Sequence, residues 1–297
     1  MGAPLGTPEA NERSWKLLDL LNEASSFFVS KGMEAARLQT ELLLAAALGL
    51  NRLDLYLQFE KIVSAQEAEV FRGFVRERLK GKPLQYVTGF AAFRNLELSV
   101  GPGVLIPRPE TEIVVEVALE LLGEGQARIL DLGCGSGAIA IAVCSECETV
   151  QAVASDIDRD ALNIAVQNAQ RHAVSESVAF VCGDLLEPFA GGTAPFDAII
   201  SNPPYVATAA IAGLQPEVRD FEPHGALDGG VEGLDFFQRI GDGAAHVLVA
   251  GGGLVLEVGD GQTEAVCGLL EATESYDQIE SRCDLTGIQR VVSCRRR

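Results

Sequence analysis

The sequence predicts an α/β protein: a small helical N-terminal domain, a strand pair, and a larger domain built on a mostly parallel sheet covered by helices on both faces. Three observations predict it. From Ile129 onward, apolar strand-like runs alternate with helical ones, the pattern of a parallel sheet whose crossovers are helices. The first 80 residues instead carry apolar side chains at helical spacing. Charge divides the chain too: residues 1–100 hold 12 basic and 12 acidic residues, whereas 101–297 hold 11 and 30, so the net −19 lies wholly in the second region. A length of 297 residues, read against about 150 per domain, suggests two domains, and one large α/β unit would also fit.

In order along the chain, SWKLLDLLNEASSFFVS, MEAARLQTELLLAAALGL and SAQEAEVFRGFVRERL predict helices, and residues 1–84 form the helical domain. Gly32 and Gly49 punctuate the helices, and Ser64 with Glu67 forms a capping box opening the third. No chemistry is visible here, so this domain is expected to recognise or support. Residues 85–106 change character: YVTGFAAFRNLELSV is aromatic and β-branched around Gly89, which predicts a strand pair linking the domains. The second domain, 107–297, reads as strand RILDLG, helix AIAIAVCSE, strand VQAVASD, helix ALNIAVQNAQRH, and strands VAFVCGD and FDAIISNPP. Strand GGLVLEVGD, helix TEAVCGLLEA and a last strand near RVVSC complete it.

Composition excludes several classes. With 47% apolar residues and a mean hydropathy of +0.18, the chain can bury a core and is not disordered. No run approaches the roughly 18 apolar residues of a membrane helix, so no span is expected. The start lacks a basic region followed by an apolar core, and Glu9 and Glu12 sit where transit peptides avoid acids, so a cytoplasmic protein is expected. The seven cysteines, an odd number mostly inside apolar runs, read as reduced, buried thiols. Cys144 and Cys147 form a C-x-x-C with no second Cys or His pair at ligand spacing, so no metal is expected. The acidic second domain would repel a nucleic-acid backbone. Arg72, Arg76, Arg78, Lys80 and Lys82 form a basic cluster, expected to be a solvated face that could dock a protein partner, since the rest of the chain is so acidic.

Ligands of such sheets bind at the carboxyl ends of the strands, where strand order reverses. The first strand ends in Asp131-Leu132-Gly133-Cys134-Gly135-Ser136-Gly137-Ala138, a turn whose glycines let the backbone approach a ligand. Gly133, Gly135 and Ala138 fit the dinucleotide fingerprint, with Asp156 at the spacing of a ribose-binding acid, so both a nicotinamide cofactor and S-adenosylmethionine (SAM) are compatible. Asp131 tilts the choice: a carboxylate there suits the ammonium of SAM and would repel the pyrophosphate of NAD. Asp156 is expected to accept from the ribose diol. After the third strand, Asp184 could accept from the adenine amine and Leu185 could pack on its ring.

The fourth strand delivers Asn202-Pro203-Pro204-Tyr205. Two prolines remove two N–H donors and stiffen the backbone. The Asn202 side-chain oxygen and the Pro203 carbonyl can then accept both hydrogens of a planar NH2 group, with Tyr205 against its face. The set resembles Rossmann-like SAM-dependent methyltransferases that modify planar nitrogens. Leu105-Ile106-Pro107-Arg108-Pro109-Glu110-Thr111-Glu112, preceded by Pro83-Leu84-Gln85-Tyr86-Val87-Thr88-Gly89, narrows the resemblance to the release factor glutamine methyltransferases. So do Glu222-Pro223, Ala226-Leu227, Gly229-Gly230, Gly233-Leu234-Asp235, and Asp284, Gly287 and Arg290-Val291-Val292. The resemblance runs from about residue 35 to the end.

It implies a seven-stranded, mostly parallel Rossmann-like sheet and methyl transfer from SAM to the side-chain N5 of the glutamine in the Gly-Gly-Gln motif of class 1 peptide chain release factors. Asp131, Gly133, Cys134, Gly135, Ser136, Gly137, Asp156, Asp184, Leu185 and Asn202 would hold the cofactor. Asn202, Pro203, Pro204 and Tyr205 would grip the amide and carry the catalysis, with Arg108, Pro109 and Glu110 also on the substrate. None of His172, His224 and His246 falls in these segments, so catalysis must come from orientation and from acceptors that strengthen in the transition state. The same lack of a placed His or Lys counts against a dehydrogenase. An amino-adenine methyltransferase acting on DNA or RNA would need a basic surface. A non-catalytic SAM-binding module would not need the intact tetrapeptide.

Overall fold

The computed structural model describes residues 15–191 and 195–297; the expectation drawn from Glu9 and Glu12 lies outside them. Between Thr88 and Gly89 the chain divides into two units. The first runs β1 (Trp15–Lys16), α1 (Leu17–Ser30), α2 (Ala36–Leu48), α3 (Arg52–Leu57), β2 (Ile62–Val63), α4 (Ala65–Leu79) and α5 (Leu84–Thr88). The three helices expected from periodicity are α1, α2 and α4. Their apolar stripes meet in one core, with Leu17, Leu21 and Phe28 against Leu43, Leu44 and Phe71. The capping box is present: Ser64 Oγ accepts from the Glu67 N–H at 3.2 Å, and Glu67 Oε2 from the Ser64 N–H at 2.8 Å. α3 and the antiparallel β1–β2 pair are too short to show a period.

The basic cluster is not one solvated face. Arg72 and Arg76 pair with Glu69, and Lys80 with Glu77, all exposed. Arg78 is buried: its Nε donates to Gln39 Oε1 of α2 at 2.6 Å and its Nη1 to the Lys82 carbonyl at 3.2 Å. Its place on α4 turns it toward α2, so it belongs to the packing of this unit. Arg78→Ala should lower the unfolding free energy by about 1.5–3 kcal/mol, the range for buried hydrogen bonds to a charged group. Arg76→Ala, on the exposed face, should cost less than about 1 kcal/mol. Urea denaturation of the two variants checks the contrast, and equal effects would return Arg78 to the surface.

Of residues 85–106, only β3 (Phe90–Phe93) and β4 (Leu96–Ser99) are strands, an antiparallel hairpin within the second unit. Tyr86 and Val87, expected as strand, are helical, because the Pro83 carbonyl accepts the Val87 N–H at 3.0 Å and Gly89 ends the turn at φ +85°. The second unit continues with α6 (Thr111–Leu122), β5 (Ala127–Leu132), α7 (Ala138–Glu146), β6 (Val150–Asp156), α8 (Arg159–Arg171), β7 (Val178–Cys182) and β8 (Phe196–Ser201). It ends with α9 (Pro216–Phe221), α10 (Asp235–Ala244), β9 (Leu248–Glu257), α11 (Thr263–Ala272), β10 (Tyr276–Cys283) and β11 (Gln289–Arg296).

The sheet has seven strands in the order β10-β11-β9-β8-β5-β6-β7. β7, β6, β5, β8 and β9 are parallel and β11 runs against β9, as the sequence led one to expect of a mostly parallel sheet. Alternate strand residues serve opposite faces. Ile129, Ala198 and Ile200 join α6, α7 and α8 in one core, while Leu130, Leu132 and Ile199 join α10 and α11 in the other. Burial on both faces is why these strands read as unbroken apolar runs. From β5 the chain steps outward to β6 and β7, then returns to the other side of β5 as β8. That reversal opens a crevice above the carboxyl ends of β5 and β8.

Candidate active site

A cleft of about 440 Å³ lies at this reversal. Leu132, Gly133 and Gly135 after β5, Asp156 at the end of β6, Gly183, Asp184 and Leu185 after β7, and Ser201, Asn202, Pro203 and Pro204 after β8 line it. Four strand ends thus deliver one site. The opposite wall comes from Gly103, Val104 and Leu105, from Pro223, Gly225 and Ala226, and from Phe236 and Arg239 of α10. None of these was expected at the site, although Leu105, Pro223 and Ala226 stand in the motifs quoted above.

The glycine turn is closed upon itself. The Gly133 and Cys134 N–H groups donate to the Ser155 carbonyl at 2.8 and 2.9 Å, and Gly137 to the Cys134 carbonyl at 2.8 Å. Gly135 donates to Asp156 Oδ2 at 2.8 Å. These donors are spent within the protein and are not free to cradle a phosphate. A Cβ at Gly133 or Gly135 would meet no atom within 4 Å, so both present open backbone to the cleft. At Gly137 a Cβ would come within 2.9 Å of Ile141 and 3.1 Å of Ala165; that glycine serves helix packing.

Asp131 does not line the cleft. It is fully buried beneath the turn, where one oxygen accepts from the Ala140 N–H at 3.0 Å and the other has no partner among the described residues. Burial pushes its carboxyl up to about 7. Cys134 and Ser136 are also buried, Cys134 in the core beside α7. Asp156 keeps its carboxylate at the cleft, with burial raising its pKa against the pull of the Asp158 and Gly135 N–H groups. Asp184 is held by Arg239 at 2.7 Å. Leu185 sits at φ +46°, a strained backbone for a branched residue that the surrounding fold must enforce. The charged residues of the lining are Asp156, Asp158, Asp184 and Arg239, and Arg239 is already paired. The cleft suits a cation and disfavours a pyrophosphate.

Arg108 forms an ion pair with the buried Glu222, whose other oxygen accepts from the Ile106 N–H at 3.1 Å. It ties the 105–108 segment to the loop that walls the cleft. Pro109 and Glu110 follow at the start of α6, outside the lining.

Asn202 is oriented by residues distant in sequence. Its Nδ2 donates to Thr111 Oγ1 at 3.1 Å, and Thr111 Oγ1 donates to Glu257 Oε2 at 2.6 Å. Asn202 lines the cleft, and among the described residues its Oδ1 takes no hydrogen bond. The Tyr205 hydroxyl faces Glu257 Oε1 at 3.4 Å; burial, then the Glu257 charge, raises its pKa above the phenol range. Thr111 lies within the Pro-Arg-Pro-Glu-Thr-Glu run and Glu257 ends β9. The strand-end rule pointed at Glu257, but nothing local marked it as a partner of Asn202.

The tetrapeptide is braced from behind. Gln262 Nε2 donates to the Tyr205 carbonyl at 2.9 Å and to that of Gly233 at 3.2 Å. The Val206 N–H donates to the Leu227 carbonyl at 2.9 Å, and the Gly229 N–H to the Val206 carbonyl at 2.8 Å. A Cβ at Gly229 would stand 2.8 Å from the Pro204 carbonyl, and one at Gly233 would stand 2.3 Å from that of Tyr205. Backbone packs directly on backbone here, the physical reason for those glycines.

The comparisons with known proteins agree with this architecture. Residues 19–89 match the family model of the PrmC N-terminal domain, and residues 110–214 that of the methyltransferase small domain. The chain is 43% identical over 281 residues to the release factor glutamine methyltransferase of Geobacter sulfurreducens, covering 95% of this chain and 97% of that one. It is 41% identical over 292 residues to the enzyme of that name from Chlorobaculum tepidum, covering 95% and 98%. Among solved structures, a methyltransferase from Pyrococcus furiosus superposes with a TM-score of 0.51 at 16% identity, over 74% of this chain and 96% of that one.

Proposed function

Because this chain belongs to the release factor glutamine methyltransferase family, we propose that it methylates the side-chain N5 of the glutamine in the Gly-Gly-Gln motif of class 1 peptide chain release factors, using SAM, in the cytoplasm. The observation that carries the proposal is the Asn202 amide at the wall of the cleft, its nitrogen donating to Thr111 and its oxygen taking no hydrogen bond from the described residues. Such an acceptor beside the Pro203 carbonyl suits a planar NH2 group. The acidic second region and the acid-rich cleft favour a protein substrate over a nucleic acid.

The residues of the cleft fit SAM. Asp156 would hold the ribose hydroxyls, Asp184 and Leu185 the adenine, and the open backbone at Gly133 and Gly135 the methionine part. Asp131 lies beneath the turn and outside the lining, with one oxygen unpartnered among the described residues; it would favour the ammonium by its charge from below and not by a hydrogen bond at the cleft wall. When bound, SAM supplies a methyl group made electrophilic by its sulfonium. The protein must then present the amide nitrogen, whose lone pair is delocalised into the carbonyl. Asn202 Oδ1 and the Pro203 carbonyl would accept hydrogen bonds from its two N–H groups, one of which gives up its proton to water once the C–N bond has formed; Tyr205, outside the lining and against Glu257, would support the tetrapeptide from the side. These acceptors bind more strongly as the nitrogen becomes positive, which is differential stabilisation of the transition state.

Incubation with methyl-labelled SAM, offering a class 1 release factor, the same factor with its Gly-Gly-Gln glutamine replaced by glutamate, DNA and RNA separately, tests the proposal. Label should enter the intact factor alone; label in DNA or RNA would overturn it. Asp156→Ala should weaken SAM binding by about 1.5–3 kcal/mol, read by calorimetry. Asp156→Asn, which keeps an acceptor oxygen, should lose less. Unchanged affinity in both would remove Asp156 from the cofactor.

A further inference from the structure

We propose that Thr111 and Glu257 are positioning residues: a relay of hydrogen bonds in which the Glu257 carboxylate sets the direction of the Asn202 amide, turning its oxygen toward the substrate nitrogen. The inference rests on reading Asn202 as the acceptor for the glutamine amide and adds what makes it an acceptor.

A side-chain amide has a donor end and an acceptor end of nearly the same shape, so packing alone does not choose between its two orientations. Hydrogen-bond polarity does. An ionised carboxylate can only accept, and a threonine hydroxyl has one hydrogen to give. With Thr111 Oγ1 2.6 Å from Glu257 Oε2, that hydrogen is committed to Glu257. Thr111 can then only accept from Asn202, which must present its NH2 at 3.1 Å and its oxygen to the cleft. Protonated, Glu257 can donate to Thr111 instead. The threonine hydrogen is then free to turn toward Asn202, and the amide can reverse. The cleft would then hold two NH2 groups, donor facing donor.

The relay is assembled by the tertiary fold. Thr111 opens α6, Glu257 ends β9, and Asn202 follows β8. Glu257 is 2% exposed. Around its carboxylate stand the hydroxyls of Thr111 and Tyr205, the Glu110 carboxylate beside Thr111, and the Arg290 guanidinium of β11. Burial first, and Glu110 after it, outweigh Thr111, Tyr205 and Arg290 and push Glu257 up to about 7. The charge that fixes the amide is therefore lost as pH falls through neutrality, and methyl transfer should rise with pH through the same range. Asp131 is pushed to a similar value, so the pH profile is informative as a difference between proteins with and without Glu257.

The test is single-turnover methyl transfer to the release factor at saturating SAM. Thr111→Val should slow it about 10²-fold, the scale of a misplaced reacting group. SAM affinity by calorimetry and the thermal midpoint should stay near wild type. Thr111→Ser should recover most of the rate. Glu257→Gln should slow transfer on the alkaline side and flatten the pH profile there. Thr111→Val within about threefold of wild type, with Asn202→Ala inactive, would overturn the relay and leave the Asn202 reading standing. Near-normal rates in both would overturn that reading and the relay with it. A slow Thr111→Val that has also lost SAM affinity or thermal stability, or a Thr111→Ser no faster than it, would overturn the positioning role.

Discussion

Asn202→Ala is expected to lose at least about 10²–10³-fold in single-turnover methyl transfer, the cost of removing one preorganised group that meets developing charge. The glutamine amide is neutral in the ground state, and its nitrogen gains positive charge as the methyl arrives. The hydrogens on that nitrogen become stronger donors, so an acceptor oxygen binds the transition state more tightly than the substrate. SAM affinity should stay within about tenfold of wild type, because the removed group acts on the amide. Asn202→Asp is the sharper probe. It keeps size and an acceptor oxygen but places a carboxylate where Thr111 needs a donor. Thr111, whose hydrogen is committed to Glu257 at 2.6 Å, would then face two anions. SAM should bind as well or better, since the added charge is negative, while the amide is held in the wrong orientation and reacts slowly. Near-normal turnover of Asn202→Ala would make the tetrapeptide a structural feature and end the mechanism proposed for it.

Gly233→Ala is the second large effect expected, and it tests the brace behind the site. Gly233 lies at φ +74°, which costs an L side chain about 1–2 kcal/mol. Its Cβ would stand 2.3 Å from the Tyr205 carbonyl and 2.8 Å from Gln262 Nε2, between two atoms that are hydrogen-bonded at 2.9 Å. Overpacking of this kind costs about 1–3 kcal/mol more, because the obstacle is backbone that cannot turn aside. Urea denaturation should show that loss. Methyl transfer should fall by about 10²-fold through displacement of the tetrapeptide. Gly213→Ala, on an exposed segment with nothing near its Cβ, should stay within about 0.5 kcal/mol of wild type. If Gly233→Ala behaved like Gly213→Ala, the tetrapeptide would not depend on this loop for its position.

What the sequence determined by itself is what neighbouring residues encode. Strands buried on both faces announce themselves as apolar runs, and α1, α2 and α4 by their period. Ser64 and Glu67 announce a helix start, and the glycine turn and Asn-Pro-Pro-Tyr announce themselves by the backbone each allows. Asp156, which ends β6, Asp184 and Leu185, which come shortly after β7, and Asn202, which follows β8, were legible as residues of one cleft, because parallel strands deliver their ends to one side. β10 was not legible: it is an edge strand, largely exposed, so no apolar pattern was required of it. The tertiary structure alone decided that Arg78 turns inward to Gln39 and that Arg108 is held by Glu222. It alone brought Thr111, Asn202 and Glu257 together across 91 and 146 residues of chain. No local pattern can carry such partnerships. The strength and direction of a hydrogen bond depend on which atoms meet at 2.6–3.1 Å, and only the packing of α6 against the ends of β8 and β9 brings those atoms within reach.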